Sequence, residues 1–260
     1  MINIRGRGID RSIFYTVAVY SLSETLFFLV IAWLYSFKAA FFLLFLGVQS
    51  VFHLIVYLYL RSHAALFTII KTGEQLGKIN LANRITLLRI TLAPVLLFLI
   101  LALKNEKVLP ILLPVIAFTF LTDLADGYVS RTRGESTMIG RILDSASDYL
   151  LLGIVAISYY IFGILPHWLF WLMIFRLSLH CVLMLVLYRI RKKLIPETTV
   201  FGKIFVASSM ALLAIELLGL IFLRLKPYVA YIELAAGILI GLSIIDKCRY
   251  FAAARKQKMG

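Results

Sequence analysis

The chain has 260 residues, 62% of them hydrophobic and 15% charged, with 27 Lys and Arg against 13 Asp and Glu for a net charge of +14. A mean hydropathy of +0.96 excludes a soluble globular domain, and the length fits one helical bundle better than several domains. Cys181 and Cys248 stand far apart and form no CxxC pair, so they read as packing residues, and no basic soluble segment exists to hold a nucleic acid.

The N-terminus, "MINIRGRGIDR", is basic and runs into an apolar stretch longer than a signal-peptide core, which predicts an uncleaved membrane helix. A membrane helix needs about 20 mostly apolar residues. The segments that qualify lie at about 13–36, 39–60, 85–103, 108–130, 142–162, 166–188, 204–223 and 228–246. Their apolar runs are continuous, without the alternation of a β-barrel. The expectation is an all-α, polytopic membrane helical bundle of about eight transmembrane helices. Residues 1–62 form two additional N-terminal helices, and residues 63–260 form a six-helix core, because the residues with chemical potential begin only after Asn83. Between the second and third spans, "LFTIIKTGEQLGKINLANRI" mixes apolar and polar residues at near-helical spacing, which predicts an amphipathic helix lying in the membrane interface.

Basic residues set the sidedness. On the side of the N-terminus fall Arg5, Arg7 and Arg11, then Arg61 to Arg89, Arg131 to Arg141, Arg189 to Lys203, and the C-terminal Lys247 to Lys258. The opposite side carries only Lys38, Lys104, Lys107, Arg224 and Lys226. Both termini are therefore expected in the cytoplasm, and the positive charge is largely this bias, which also favours anionic membrane lipids.

The chemistry concentrates in "DLADGYVSRTRGESTMIGRILDSASD", Asp123 to Asp148, which holds five of the 13 acidic residues. Asp123 and Asp126, at i and i+3, end the fourth span, and Asp144 and Asp148, at i and i+4, begin the fifth. Each pair projects from one helical face, and a short basic turn makes the two helices antiparallel neighbours. Four carboxylates converging just inside a membrane repel one another and pay desolvation. Divalent cations relieve both costs, and oxygen ligands with open water positions suit Mg²⁺ or Mn²⁺ carrying a phosphate substrate. Gly127 and Gly140 leave room for a ligand against the helix backbone, and Arg131 is a natural phosphate partner. Interfacial carboxylates merely paired with Arg131, Arg133 and Arg141 would need neither the glycines nor this register.

The segment, D-x2-D-G-x3-R-x8-G-x3-D-x3-D, resembles the signature of the CDP-alcohol phosphatidyltransferases, D-x2-D-G-x2-A-R-x(7–9)-G-x3-D-x3-D. Asp123, Asp126, Gly127, Arg131, Gly140, Asp144 and Asp148 match, and Ser130 replaces the usual Ala. "NRITLLRITLAP", Asn83 to Pro94, resembles the opening of the family's first core helix. The resemblance implies a membrane phospholipid-synthesis enzyme that moves a substituted phosphate from a CDP-alcohol, such as CDP-diacylglycerol, to an acceptor hydroxyl and releases CMP. It implies two divalent ions, Mg²⁺ or Mn²⁺, on Asp123, Asp126, Asp144 and Asp148, with Asp148 as general base. It assigns Gly127, Arg131, Gly140, Asn83, Thr86 and Arg89 to the CDP-alcohol, and by analogy with frequently dimeric members it allows a homodimer.

Arg176 stands well inside the sixth span, where an arginine is costly and has a partner or a ligand. The resemblance places it, with Lys203, at the acceptor. The glycerol-phosphate branch tends to read GKxKT where this chain has "GKIFV", and D-P-x-A-D-K where it has "DSASDY". The acceptor thus stays open between glycerol 3-phosphate and others, as does transfer of phosphocholine or phosphoethanolamine from a CDP-amino alcohol to diacylglycerol. Outside this class stand a transporter, which would spread polar residues along a pathway, a prenyltransferase, which would carry two separated aspartate-rich motifs, and an inactive relative. Glu24, Glu216 and Glu233 have no role in this reading, and His53 and His180 read as packed polar residues.

Overall fold

The computed structural model describes residues 2–104, 107–191, 200–221 and 226–256. The side chains of some residues inside helices, Asp123 and Arg131 among them, lie outside the described set. The helices are α1 (Ile2–Leu34), α2 (Ala39–Ser62), α3 (Leu81–Thr91), α4 (Ala93–Ala102), α5 (Leu109–Arg133), α6 (Met138–Ile161), α7 (His167–Arg191), α8 (Val200–Ile221) and α9 (Lys226–Lys256). Among the described residues each expected span is largely helical, the third broken at Leu92. Among the described residues five stretches are long and apolar enough to cross a membrane: Gly8–Leu34, Ala39–Ser62, Leu81–Ala102, Met138–Ile161 and Pro227–Ala252. The chain is an all-α, multi-pass membrane protein. It divides into two compact units, residues 1–150 and 151–260.

In the first unit, α3 and α4 form the central span. The break at Leu92 follows from Pro94, which has no N–H to continue the ladder and sits in the first turn of α4. In this span 78% of the apolar window is buried in protein, against 22% for α1 and for α2, so α1 and α2 turn most of their surface outward. They are tied inward by aromatic packing: Phe28 stacks on Phe45 with centroids 3.8 Å apart, and both rings meet Phe98 of α4 edge-on. The unassigned Glu24 is buried between α1 and α2 with its carboxylate 3.2 Å from His53 Nε2, and Gln49 donates to Ser21 O and Thr25 Oγ1. These polar groups face inward in a lipid-exposed hairpin, yet the Glu24 oxygens and His53 Nε2 make no hydrogen bond among the described residues.

The interfacial helix expected over 61–84 is not formed. Beyond a single 3-10 turn at Ala64–Leu66, the segment is an irregular strap. Ile69 N–H bonds to Glu74 O and Leu76 N–H to Phe67 O around Gly73, whose φ of +70° closes the turn and is open to glycine at little cost. The apolar residues that mimicked a helical face instead anchor the strap: Phe67 and Ile79 are buried with Ile9, Ile13, Leu87 and Ile139. Ile70 N–H donates to Ser136 O, and Met138 N–H donates to Thr68 O. The strap therefore braces the turn between α5 and α6, the two helices that carry the aspartates.

In the second unit α9 packs against both α7 and α8. At the first contact Gly237 lets the Trp168 ring lie close, 2.7 Å from where a Cβ would stand.

Candidate active site

Local capping sets the walls of the site. Asn80 caps α3 by accepting from Asn83 N–H at 3.1 Å, and its amide donates to Glu135 O at 2.9 Å. α5 stops at Gly134, whose left-handed φ of +64° ends the helix. Thr137 starts α6: its Oγ1 accepts from Gly140 N–H at 3.0 Å and exchanges hydrogen bonds of 2.9 and 3.0 Å with the Asn83 amide. One asparagine–threonine pair thus sets the distance between α3 and α6. Gly140 serves that approach, because a Cβ there would stand 2.5 Å from Asn83 Oδ1 and 2.9 Å from Thr137 Oγ1.

A cleft open to solvent on one side lies between α3, α5 and α6. Asn83, Thr86, Asp126, Gly127, Gly140 and Asp144 line it, together with Ser130, Ser136 and Thr137. Six residues expected at the site thus share one cleft. Asp126 is buried, Asp144 has a side chain 54% exposed, and Asp148 lies between these extremes at 21%. Thr86 donates its hydroxyl to Asp126 Oδ2 at 2.7 Å.

Arg89, expected on the nucleotide side, stands among the carboxylates. It is 1% exposed and its Nη2 lies 2.8 Å from Asp144 Oδ1, 3.6 Å from Asp126 Oδ2 and 3.9 Å from Asp148 Oδ1. Carboxylates from α5 and α6 therefore do converge, around a cation supplied by α3. Arg89 and Asp126 are both buried, so removing the guanidinium would leave the Asp126 carboxylate a buried charge without compensation. Asp123 and Arg131 fall in the same helix, α5, but their side chains lie outside the described residues.

Carboxylate oxygens from two helices are the hard donors that divalent ions take, but Arg89 Nη2 stands at the point on which they converge. Among the described residues no three acidic, histidine or cysteine side chains are gathered closely enough to hold a metal ion, and Arg89 Nη2 stands between Asp126, Asp144 and Asp148.

The acceptor candidates belong to the second unit. Arg176 on α7 is fully buried, donates from Nε to Ser243 Oγ at 2.7 Å and lies 4.8 Å from the centre of the Phe205 ring. Neither of its Nη atoms finds a hydrogen-bond partner among the described residues. Lys203 is exposed on α8. The residues that the sequence did not single out are Thr137, legible as an N-cap three residues before Gly140, and Ser243 and Lys247 of α9. Lys247 is 3% exposed and near enough to Arg176 for the two charges to interact. In sequence it reads only as one of the basic residues at a helix end.

Residues 79–242 match the family model described as CDP-alcohol phosphatidyltransferase. The chain is 31% identical over 179 residues to the CDP-diacylglycerol--glycerol-3-phosphate 3-phosphatidyltransferase of Aquifex aeolicus, covering 64% of this chain and 93% of that one. It is 32% identical over 196 residues to a probable phosphatidylglycerophosphate synthase of Mycobacterium tuberculosis, covering 71% and 87%. A cardiolipin synthase (CMP-forming) of Rattus norvegicus is 31% identical over 127 residues, 48% of this chain and 40% of the relative. No solved structure matches the chain significantly.

Proposed function

The chain belongs to the CDP-alcohol phosphatidyltransferase family, and from that membership we propose that it transfers the phosphatidyl group of CDP-diacylglycerol to a hydroxyl of glycerol 3-phosphate and releases CMP. The observation that carries the reading is the convergence of Asp126, Asp144 and Asp148 on one cationic point beside a cleft walled by Asn83, Thr86 and two glycines. The names of the Aquifex and Mycobacterium relatives favour this donor over a CDP-amino alcohol, and they favour this acceptor. Residues 1–62 precede the matched region and form an addition to a core at 63–260. The excess of Lys and Arg on one side supports cytoplasmic termini and a cytoplasmic site.

Asp126, Asp144 and Asp148, with Asp123, would hold two divalent ions, Mg²⁺ or Mn²⁺. Those ions, when bound, supply the positive charge that offsets the diphosphate as its bonds rearrange. The protein's own residues do the rest. Asp148 accepts the proton of the acceptor hydroxyl, whose oxygen bonds to the β-phosphorus as the bond to the bridging oxygen breaks and CMP leaves with that oxygen. Thr86 fixes the orientation of Asp126 through its hydroxyl. Asn83, Gly127, Gly140 and Arg131 take the nucleotide in the cleft. Arg176 and Lys203 bind the anionic group of the acceptor, and the two buried Nη donors of Arg176 suit a phosphate.

The test is CMP release from purified protein in lipid–detergent micelles with CDP-diacylglycerol, Mg²⁺ or Mn²⁺, and glycerol 3-phosphate, serine, inositol or inositol 1-phosphate in parallel. A reaction with CDP-choline and diacylglycerol is the cross-check, and Asp148→Asn is the control. CMP that depends on glycerol 3-phosphate and on metal, and disappears in the variant, is the expected result. CMP with a different acceptor reassigns the substrate, and none from folded protein overturns the enzymatic reading.

A further inference from the structure

The cation at the centre of the carboxylates is part of the chain. A single atom, Arg89 Nη2, lies within 4 Å of oxygens from Asp126, Asp144 and Asp148. Arg89 rises from α3, half of the most buried span of the first unit, and its guanidinium keeps its charge at every physiological pH. A fixed positive charge of the chain itself thus gathers the three carboxylates. The same three carboxylates are the ones assigned to divalent ions. A divalent ion drawing on those oxygens stands within contact range of a like charge, in a place where burial weakens screening.

We propose that Arg89 is an internal counter-ion that competes with divalent cations for Asp126, Asp144 and Asp148, so that metal loading requires its guanidinium to leave the three carboxylates. The proposal rests on the metal-dependent reading above. It gives the metal-free protein a defined, charge-compensated site in place of a cluster of repelling acids. It also lowers the apparent metal affinity by the fraction of molecules in which the guanidinium is withdrawn.

The experiment is a titration with Mn²⁺ alone, without nucleotide, on the full-length protein in lipid nanodiscs, with free Mn²⁺ counted by electron paramagnetic resonance. Wild type is compared with Arg89→Gln and Arg89→Lys. If the guanidinium occupies the carboxylates about nine-tenths of the time, Arg89→Gln binds Mn²⁺ about tenfold more tightly than wild type. Arg89→Lys, which keeps the charge, stays nearer wild type. Equal or weaker binding by folded Arg89→Gln overturns the proposal. Should Arg89→Gln fail to fold, a Mn²⁺-loaded structure of the wild type decides. Nη2 displaced from the three carboxylates supports the exchange, and a metal bound with Nη2 still in place overturns it. Mn²⁺-dependent CMP release without an affinity difference sinks the competition and leaves the proposed function standing. No Mn²⁺ binding by either protein sinks the competition, and CMP release that persists without divalent ions sinks the metal-dependent reading with it.

Discussion

Thr86 on α3 and Asp126 on α5 are joined by a buried hydrogen bond of 2.7 Å, hydroxyl to carboxylate. The same hydroxyl is 3.1 Å from Ala82 O, but the ionised oxygen is the stronger acceptor. A hydrogen bond to a charged group is worth about 1.5–3 kcal/mol. Thr86→Val is therefore expected to lower kcat/KM for CMP release by about tenfold or more, and Thr86→Ser to restore most of it. Wild-type kinetics in the valine variant would remove Thr86 from the site.

Asp144 makes the shortest contact to Arg89 and is the most exposed of the three carboxylates. Asp144→Asn should thus spare the fold, with an unchanged helical circular dichroism spectrum. Turnover should fall by at least about a hundredfold, the upper range seen when even the hydrogen-bond partners of metal ligands are removed. Near-normal turnover would detach Asp144 from the chemistry.

The aspartate spacings were legible because helical periodicity places i, i+3 and i+4 on one face wherever a long apolar run guarantees a helix. The place of Arg89 was not, because its contact with Asp144 joins residues 55 positions apart, and nothing local encodes which face α3 turns toward α6. The strap misled for a different reason. Its apolar residues at near-helical spacing satisfy a helix pattern, yet Gly73 and the hydrogen bonds of Thr68 with Met138 and of Ile70 with Ser136 commit it to the turn before α6. Tertiary pairing overrode local propensity there. Lys247 was hidden because a lysine near a helix end is indistinguishable by pattern from a topology-setting charge.

Gly140 tests the close approach of α3 and α6. In Gly140→Ala the new methyl would meet Asn83 Oδ1 and Thr137 Oγ1, atoms already fixed by their mutual hydrogen bonds, so the neighbours have little freedom to yield. Overpacking of this kind costs about 1–3 kcal/mol. The midpoint of thermal unfolding in detergent should fall and the KM for the CDP-alcohol should rise, since Asn83 and Gly140 also line the cleft. An unchanged midpoint would mean that the helices separate freely at this point.

Arg176 separates an acceptor role from a structural one. Its Nε is engaged by Ser243 and its guanidinium carbon lies over the Phe205 ring, while both Nη groups are buried without a hydrogen-bond partner among the described residues. Donors left so in an apolar interior are costly, and an anionic acceptor would satisfy two at once. Arg176→Ala is expected to raise the KM for glycerol 3-phosphate by about tenfold or more, with a much smaller change for CDP-diacylglycerol. Arg176→Lys should recover part of the loss, since charge survives but the two-pronged geometry does not. A purely structural arginine would instead lower the unfolding midpoint and shift both KM values together, and that result would remove Arg176 from the acceptor site.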